Sequence, residues 1–132
     1  MKISDIPVET GERYELVSIT EEVRRAVKDA GVDEGIGIIA STHTTAAVTV
    51  NEDYDRDVPD DLASACRAFL DALDVRFEHA EGNSDSHLLS SLFGQSQTLL
   101  VSDGELDLGR WQGVFLAEFD GPRSRRVRVA VS

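Results

Sequence analysis

The chain has 132 residues and a mass of 14.4 kDa, room for one domain with a real core and not for a second beside it. Its 41% hydrophobic content excludes a disordered chain, and no apolar run approaches the roughly 20 residues that span a bilayer. A formal net charge of −12 argues against nucleic acid and anionic membrane as partners, since both repel such a surface, and the opening MKISDIPVETGERYELV lacks a signal peptide's basic-then-apolar order, so a cytoplasmic protein is expected.

Arg13 to Ile19 alternates as a strand, and Thr20 then starts a helix in which Val23, Ala26, Val27 and Ala30 recur at helical spacing. Thr20 is expected to cap it and Gly31 to end it. GIGIIAS and AAVTVNE read as strands. In the second, Ala46, Val48 and Val50 share one face, while Thr45, Ala47, Thr49 and Asn51 share the other, to which His43 belongs by parity. VPDDLASACRAFLDAL then forms a helix with Pro59 in its first turn and Leu62, Cys66, Phe69 and Leu73 on one stripe. Cys66, the only cysteine, is thereby a buried structural thiol. A shorter helix runs from a Ser84 cap to Gly94. TLLVS, an SDG turn and ELDLG read as a hairpin, and WQGVFLAEFD and SRRVRVAVS as two strands joined by GPR. Helices set among hairpin-linked strands predict an α+β fold: one domain over 1–132, a mostly antiparallel, sandwich- or barrel-like sheet, and two to three helices packed on it.

All but two of the 13 Lys+Arg residues are arginine, the lysines being Lys2 and Lys28; with the acidity, this bias reads as adaptation to high salt.

The three histidines stand in polar, turn-adjacent clusters: His43 opens HTTAAVTVNE, His79 sits in the Gly/Asn/Ser/Asp-rich stretch VRFEHAEGNSDSH, and His87 lies in the first turn of the short helix, where the dipole favours the neutral ring. Each alone could be a satisfied or merely exposed imidazole. Together they predict one convergent site, and three neutral imidazoles with an open fourth position are a common zinc arrangement, although the spacing matches no compact metal motif. Near the C-terminus, Arg123 is placed to grip a phosphate. Trp111 either fills the core or faces a ligand, and Arg125, Arg126 and Arg128 are expected to pair with carboxylates.

HTTAAVTVNE, Phe77-x-His79, the N-x-x-S-H-L run from Asn83 to Leu88, SSLFG at 90–94, LGRWQG and EFDGPR occur in an order that resembles the YjbQ-like secondary thiamine-phosphate synthase family from about Glu12 to Val131. The resemblance implies a homotrimer with the site near the subunit interface, and condensation of hydroxymethylpyrimidine diphosphate with thiazole phosphate as an activity secondary to an unassigned main one. By motif matching it carries over His43, Thr44, Asn51, Glu52, His79, His87, Trp111, Gln112, Glu118 and Arg123; the roles expected of them here are His43, His79 and His87 as metal ligands, Asn51, Glu52, Glu118 and Arg123 as the reacting set, and Thr44, Thr45, Trp111, Gln112 and Arg123 as substrate-binding. Two positions depart from the family's pattern: Phe77, where a tyrosine is frequent, and Ser86, where a small apolar residue is frequent.

The expected cofactor is a divalent metal, zinc-like on the histidines or magnesium with the diphosphate, or else the histidines bind the diphosphate directly; three imidazoles favour the former ion and phosphate oxygens the latter. Arg123 and Arg110 would add positive charge, and Glu52 or Glu118 would act as base or orient a histidine. The partners expected are copies of the chain itself and a small phosphorylated metabolite. A non-catalytic binder of a small anion or metal, and a metal-dependent hydrolase, fit the same residues.

Overall fold

The structure, a computed structural model, describes residues 1–132. Eight strands and three helices follow in the order β1 (Lys2–Glu9), β2 (Glu15–Ser18), α1 (Thr20–Ala30), β3 (Gly35–Ser41), β4 (Ala46–Glu52), α2 (Asp57–Asp71), α3 (Ser84–Phe93), β5 (Ser96–Ser102), β6 (Glu105–Leu106), β7 (Gln112–Glu118) and β8 (Ser124–Val131). They build a five-stranded sheet, β1-β8-β3-β5-β6, and a three-stranded sheet, β2-β7-β4, with every pairing antiparallel.

The period-two alternation of each strand decides which side is apolar. Ile6, Val8, Ile39, Val101, Val127, Val129 and Val131 of the larger sheet meet Ala46, Val48, Val114 and Leu116 of the smaller one, and Val23 and Val27 of α1 close that layer. The opposite side of the smaller sheet, with Leu16, Ala47, Phe115 and Ala117, packs on Cys66 of α2, Leu89 of α3 and Phe119. Each fully buried valine, leucine or isoleucine contributes about 1.5–3 kcal/mol, so these two clusters fix the arrangement of the sheets. The result is the α+β sandwich that the element order implies.

Local readings shift in four places. The first strand, Lys2–Glu9, is absent from the pattern reading because only Ile6 and Val8 of its eight residues are buried. Thr20 is the first helical residue rather than the cap: its hydroxyl donates to Asp53 Oδ2 at 2.7 Å and accepts from the Val114 amide at 2.9 Å, tying α1 to β7 and to the residue after β4. The buried stripe of α2 runs through Leu62, Ala63, Cys66 and Leu70, whereas Phe69 is exposed and Leu73 lies beyond the helix end at Asp71. Asn83, not Ser84, occupies the N-cap of α3. Gly31 ends α1 as expected, in a left-handed conformation (φ 69°) that suits glycine.

Register decides where functional groups can meet. Ala46 is opposite Glu118, while Glu52 is opposite Gln112, so the two ends of β4 and β7 are separated by about 20 Å at the usual strand rise. No helix is long and apolar enough to cross a membrane.

Candidate functional site

A polar cleft of about 390 Å³ opens at the Ala46/Glu118 end. The β3–β4 turn contributes Thr44 and Thr45, and the α2–α3 loop contributes His79 and Glu81. Helix α3 adds Asn83 and His87, the turn after β7 adds Asp120 and Arg123, and β8 adds Arg125. His79 and His87 stand edge to face, with ring centroids 5.6 Å apart. His79 Nε2 is 3.9 Å from Glu81 Oε2. The N-terminus of α3 faces this group, and its dipole and first amides favour an anion.

Arg123 is half exposed and held in place: Nε donates to the Asp120 carbonyl at 2.8 Å and Nη2 to Asp120 Oδ2 at 3.1 Å, leaving Nη1 for a ligand. Burial pushes the Asp120 carboxyl up, but donation from Asn83 and the Arg123 guanidinium outweighs it and holds the group below the usual carboxylate range. Asn83 is buried and gives its amide N–H to Asp120 at 2.8 Å; its Oδ1 is buried without a donor, which the chain tolerates here at a cost of roughly 1–3 kcal/mol.

Behind the cleft lies the most protected ion pair of the molecule. Arg125 Nε donates to Glu118 Oε1 at 2.8 Å, Arg125 Nη2 also donates to Glu118 Oε2, and Nη2 donates to Thr45 Oγ1 at 2.9 Å. Glu118 further accepts from Thr10 Oγ1 at 2.7 Å and from the amides of Phe119 and Asp120 at 3.1 and 3.2 Å. Burial raises the Glu118 carboxyl, yet the Arg125 and Thr10 donors and the Asp120 amide together hold it below its ordinary value. Wholly buried and with both oxygens engaged, Glu118 orients Arg125 and the β7–β8 corner; it has no free lone pair aimed at a substrate.

His43 is placed otherwise than the convergence expectation has it. Its Nε2 accepts the Arg126 amide at 2.9 Å, extending the β3–β8 ladder by one bond, and its ring does not line the cleft. Burial first, then the neighbouring Arg125 charge, lowers its pKa, so the ring is neutral with its proton on Nδ1. The structure thus brings two of the three histidines together. No group of three His, Cys, Asp or Glu side chains in the protomer is spaced to hold a metal. The residues of one protomer therefore do not fit a three-histidine metal centre.

The remaining sequence-derived candidates lie at the far end of the strands. Asn51 and Gln112 each engage the side-chain oxygen locally, Asn51 Oδ1 accepting from the Glu52 amide at 2.7 Å and Gln112 Oε1 from the Gly109 amide at 2.8 Å. Trp111 is 44% exposed rather than core. Asn83, Glu81 and Arg125 line the cleft without having been assigned to it from sequence; Asn83 stood inside the N-x-x-S-H-L run and was legible there. Arg126 and Arg128 pair with Asp5 as expected, at 3.7 and 2.9 Å.

Two face-to-face antiparallel sheets with α1 closing the layer between them, α2 and α3 on the outer side of the smaller sheet, and a polar cleft at the strand ends define a two-cluster α+β sandwich. The chain belongs to the UPF0047 protein YjbQ-like family, whose model matches residues 4–132. It is 45% identical over 127 residues to UPF0047 protein MJ1081 of Methanocaldococcus jannaschii, covering 94% of this chain and 89% of that one. To UPF0047 protein YugU of Bacillus subtilis it is 39% identical, covering 93% of each. A crystal structure of a YjbQ/UPF0047 family protein from Clostridium acetobutylicum superposes with a TM-score of 0.92 at 36% identity, covering 98% of this chain and 99% of that one.

Proposed function

We propose that the chain is a thiamine-phosphate synthase-type transferase that binds the phosphate of its substrates in the His79/His87/Arg123 cleft. The observation that carries this reading is the gathering of two imidazoles, a tethered guanidinium and two threonine hydroxyls around the N-terminus of α3, in a cleft lined by no hydrophobic residue. These are phosphate-binding groups by charge and donor count. Departure of diphosphate needs its developing charge neutralised: Arg123 Nη1 and the two rings supply donors, and Thr44 and Thr45 flank them. Direct histidine–phosphate contact is favoured over a three-histidine metal because His43 Nε2 is already bonded to Arg126. A divalent ion arriving with diphosphate would have Glu81 as its exposed oxygen ligand.

Asn51, Glu52, Trp111 and Gln112 can join this cleft only from another copy of the chain, which supports a homotrimer with a shared site. A non-catalytic anion-binding protein is the second reading. It is favoured by one observation: Asp120 and Glu118 are both locked in hydrogen bonds, leaving Glu81 as the free carboxylate of the cleft.

Thiamine-phosphate formation by wild type, His87→Ala and Arg123→Ala tests the proposal. A fall of about 10²-fold or more in each variant is expected. Equal trace rates in all three proteins would leave the binder.

A further inference from the structure

Asn83 is built into the molecule in a way that stability alone does not explain. It is buried at the N-cap of α3, where asparagine is among the residues that best satisfy the first amides of a helix. Here it does not: its backbone stands at φ −120°, ψ 25° rather than in the extended region typical of a cap, and its side chain makes no capping bond. The amide is turned instead to the β7–β8 corner, where Nδ2 donates to Asp120 Oδ2 at 2.8 Å and Oδ1 is left buried without a donor. The helix does not need that bond for its seat. Ser86 Oγ donates to the Phe119 carbonyl at 2.7 Å, Ser90 Oγ to the Ala46 carbonyl at 3.3 Å, Leu89 lies in the core, and Arg13 holds Asp85 at 3.0 Å. An orphaned buried acceptor costs about what one bond to a carboxylate returns, so the Asn83 side chain is close to neutral for folding.

What the bond does fix is Asp120, and through it Arg123. An exposed ion pair three residues apart is a weak restraint, because two solvated side chains must be held in one geometry. This pair is anchored at its carboxylate end: Asp120 is 17% exposed at its side chain, receives Asn83 Nδ2, and its own amide donates to Glu118 Oε2 at 3.2 Å. The same Oδ2 accepts Arg123 Nη2 at 3.1 Å, so one oxygen joins the amide of Asn83 to the guanidinium, and the Asp120 carbonyl accepts Arg123 Nε at 2.8 Å. All three residues line the cleft. Without Asn83, the carboxylate would keep Arg123 as its one side-chain donor and could turn with it into water.

We infer that Asn83 is a positioning residue of the anion cleft: acting through Asp120, it holds the Arg123 guanidinium with Nη1 left for the ligand. This rests on the phosphate-binding reading of the cleft. Calorimetric titration of the full chain with inorganic diphosphate tests it, on wild type, Asn83→Ala, Asp120→Ala and the double variant. Asn83→Ala should bind about fivefold more weakly or worse, with a melting temperature within about 5 °C of wild type, because the lost bond and the removed orphan offset each other. In the Asp120→Ala background the same substitution should change affinity by less than about twofold, since Arg123 has already been released. Undiminished affinity in folded Asn83→Ala, or its full effect retained without Asp120, would overturn the assignment. A readout on the wild type needs no variant. In an isotope-labelled sample the Asn83 side-chain amide and the Arg123 Nε–H resonances should move with diphosphate at one midpoint; an Asn83 amide that stays still while Arg123 moves would overturn the assignment as well. A wild type that binds no diphosphate removes the cleft reading and this assignment together, whereas a wild type that binds while the variants miss these expectations removes the assignment alone.

Discussion

Replacing Glu118 by Gln isolates what the buried ion pair contributes. Glu118 is inaccessible and Arg125 is 4% exposed at its side chain, so water cannot replace the lost charge. The amide keeps the shape but presents N–H to a guanidinium, and Arg125 is left with Thr45 as its main acceptor. Removing one partner of a buried pair costs about 3–5 kcal/mol. For 132 residues at about 2.1 cal/mol/K each, the unfolding entropy is roughly 280 cal/mol/K, so the melting temperature should fall by about 10–18 °C. Scanning calorimetry and urea unfolding at one protein concentration and one salt concentration measure it. Arg125→Met should also destabilise, and the double variant should lose less than the sum of the two, since neither charge is then stranded. The pH dependence has a definite sign. The folded Glu118 pKa is depressed, so its contribution is complete above the unfolded carboxylate value and is lost as pH falls through the folded one; Glu118→Gln should flatten that part of the acid limb. A loss below about 1 kcal/mol with the fold intact would refute the assignment of Glu118 as a structural anchor and return it to the list of candidate bases.

His43→Ala should cost about 0.5–1.5 kcal/mol at pH 7.5 for the lost ladder bond. Because the folded His43 pKa is lowered, that difference should shrink as pH falls below the unfolded histidine value and through the folded one; a pH series of unfolding curves that stays parallel would refute it. Elemental analysis of wild type and His43→Ala should give the same metal content, and stoichiometric metal lost in the variant would restore His43 as a ligand. Gly113→Ala should destabilise by about 1–3 kcal/mol through the clash with Asp53, measured by urea midpoint. With a net charge of −12, the urea midpoint of the wild type should rise between 0.1 and 2 M KCl as self-repulsion is screened; a flat response would argue against salt adaptation.

Alternation exposed β3, β4, β7 and β8 because these strands bury one or both faces, and the sequence SDG placed a hairpin where Asp103 and Gly104 both take positive φ. An edge strand such as β1, with Asp5 and Pro7 on either side of Ile6, one of its two buried residues, carries too little pattern to be seen. In α2 the choice between Phe69 and Leu70 turns on the orientation of the helix over β2, which larger side-chain size does not determine. The pairing of His79 with His87 was legible because both lie in one short polar stretch. His43 was misplaced for a reason outside any linear pattern: its partner is a backbone amide 83 residues away, available only once β8 lies between β1 and β3.

The separation of the candidate residues is the consequence of β-register that matters most. Motifs adjacent in sequence, such as HTT and VNE, occupy the two ends of one strand, and every residue of β4 between them is committed to pairing with β7. No side-chain rearrangement within a protomer closes a gap of about 20 Å while that ladder holds. The two ends also differ in residue type, with His79, His87 and Arg123 beside Glu81 and Asp120 at one, and Glu52, Asp53 and Asp55 with Arg56 at the other. If both ends serve one reaction, the Glu52 end of β4 in one copy must face the His79/His87 end of another. A head-to-tail contact closes into a ring when its rotation allows, and a two-fold contact can pair the same unlike ends reciprocally. Mixing His87→Ala with Glu52→Ala subunits therefore separates a shared site from independent ends: a shared interface restores one intact site and regains activity, while ends that work alone regain none.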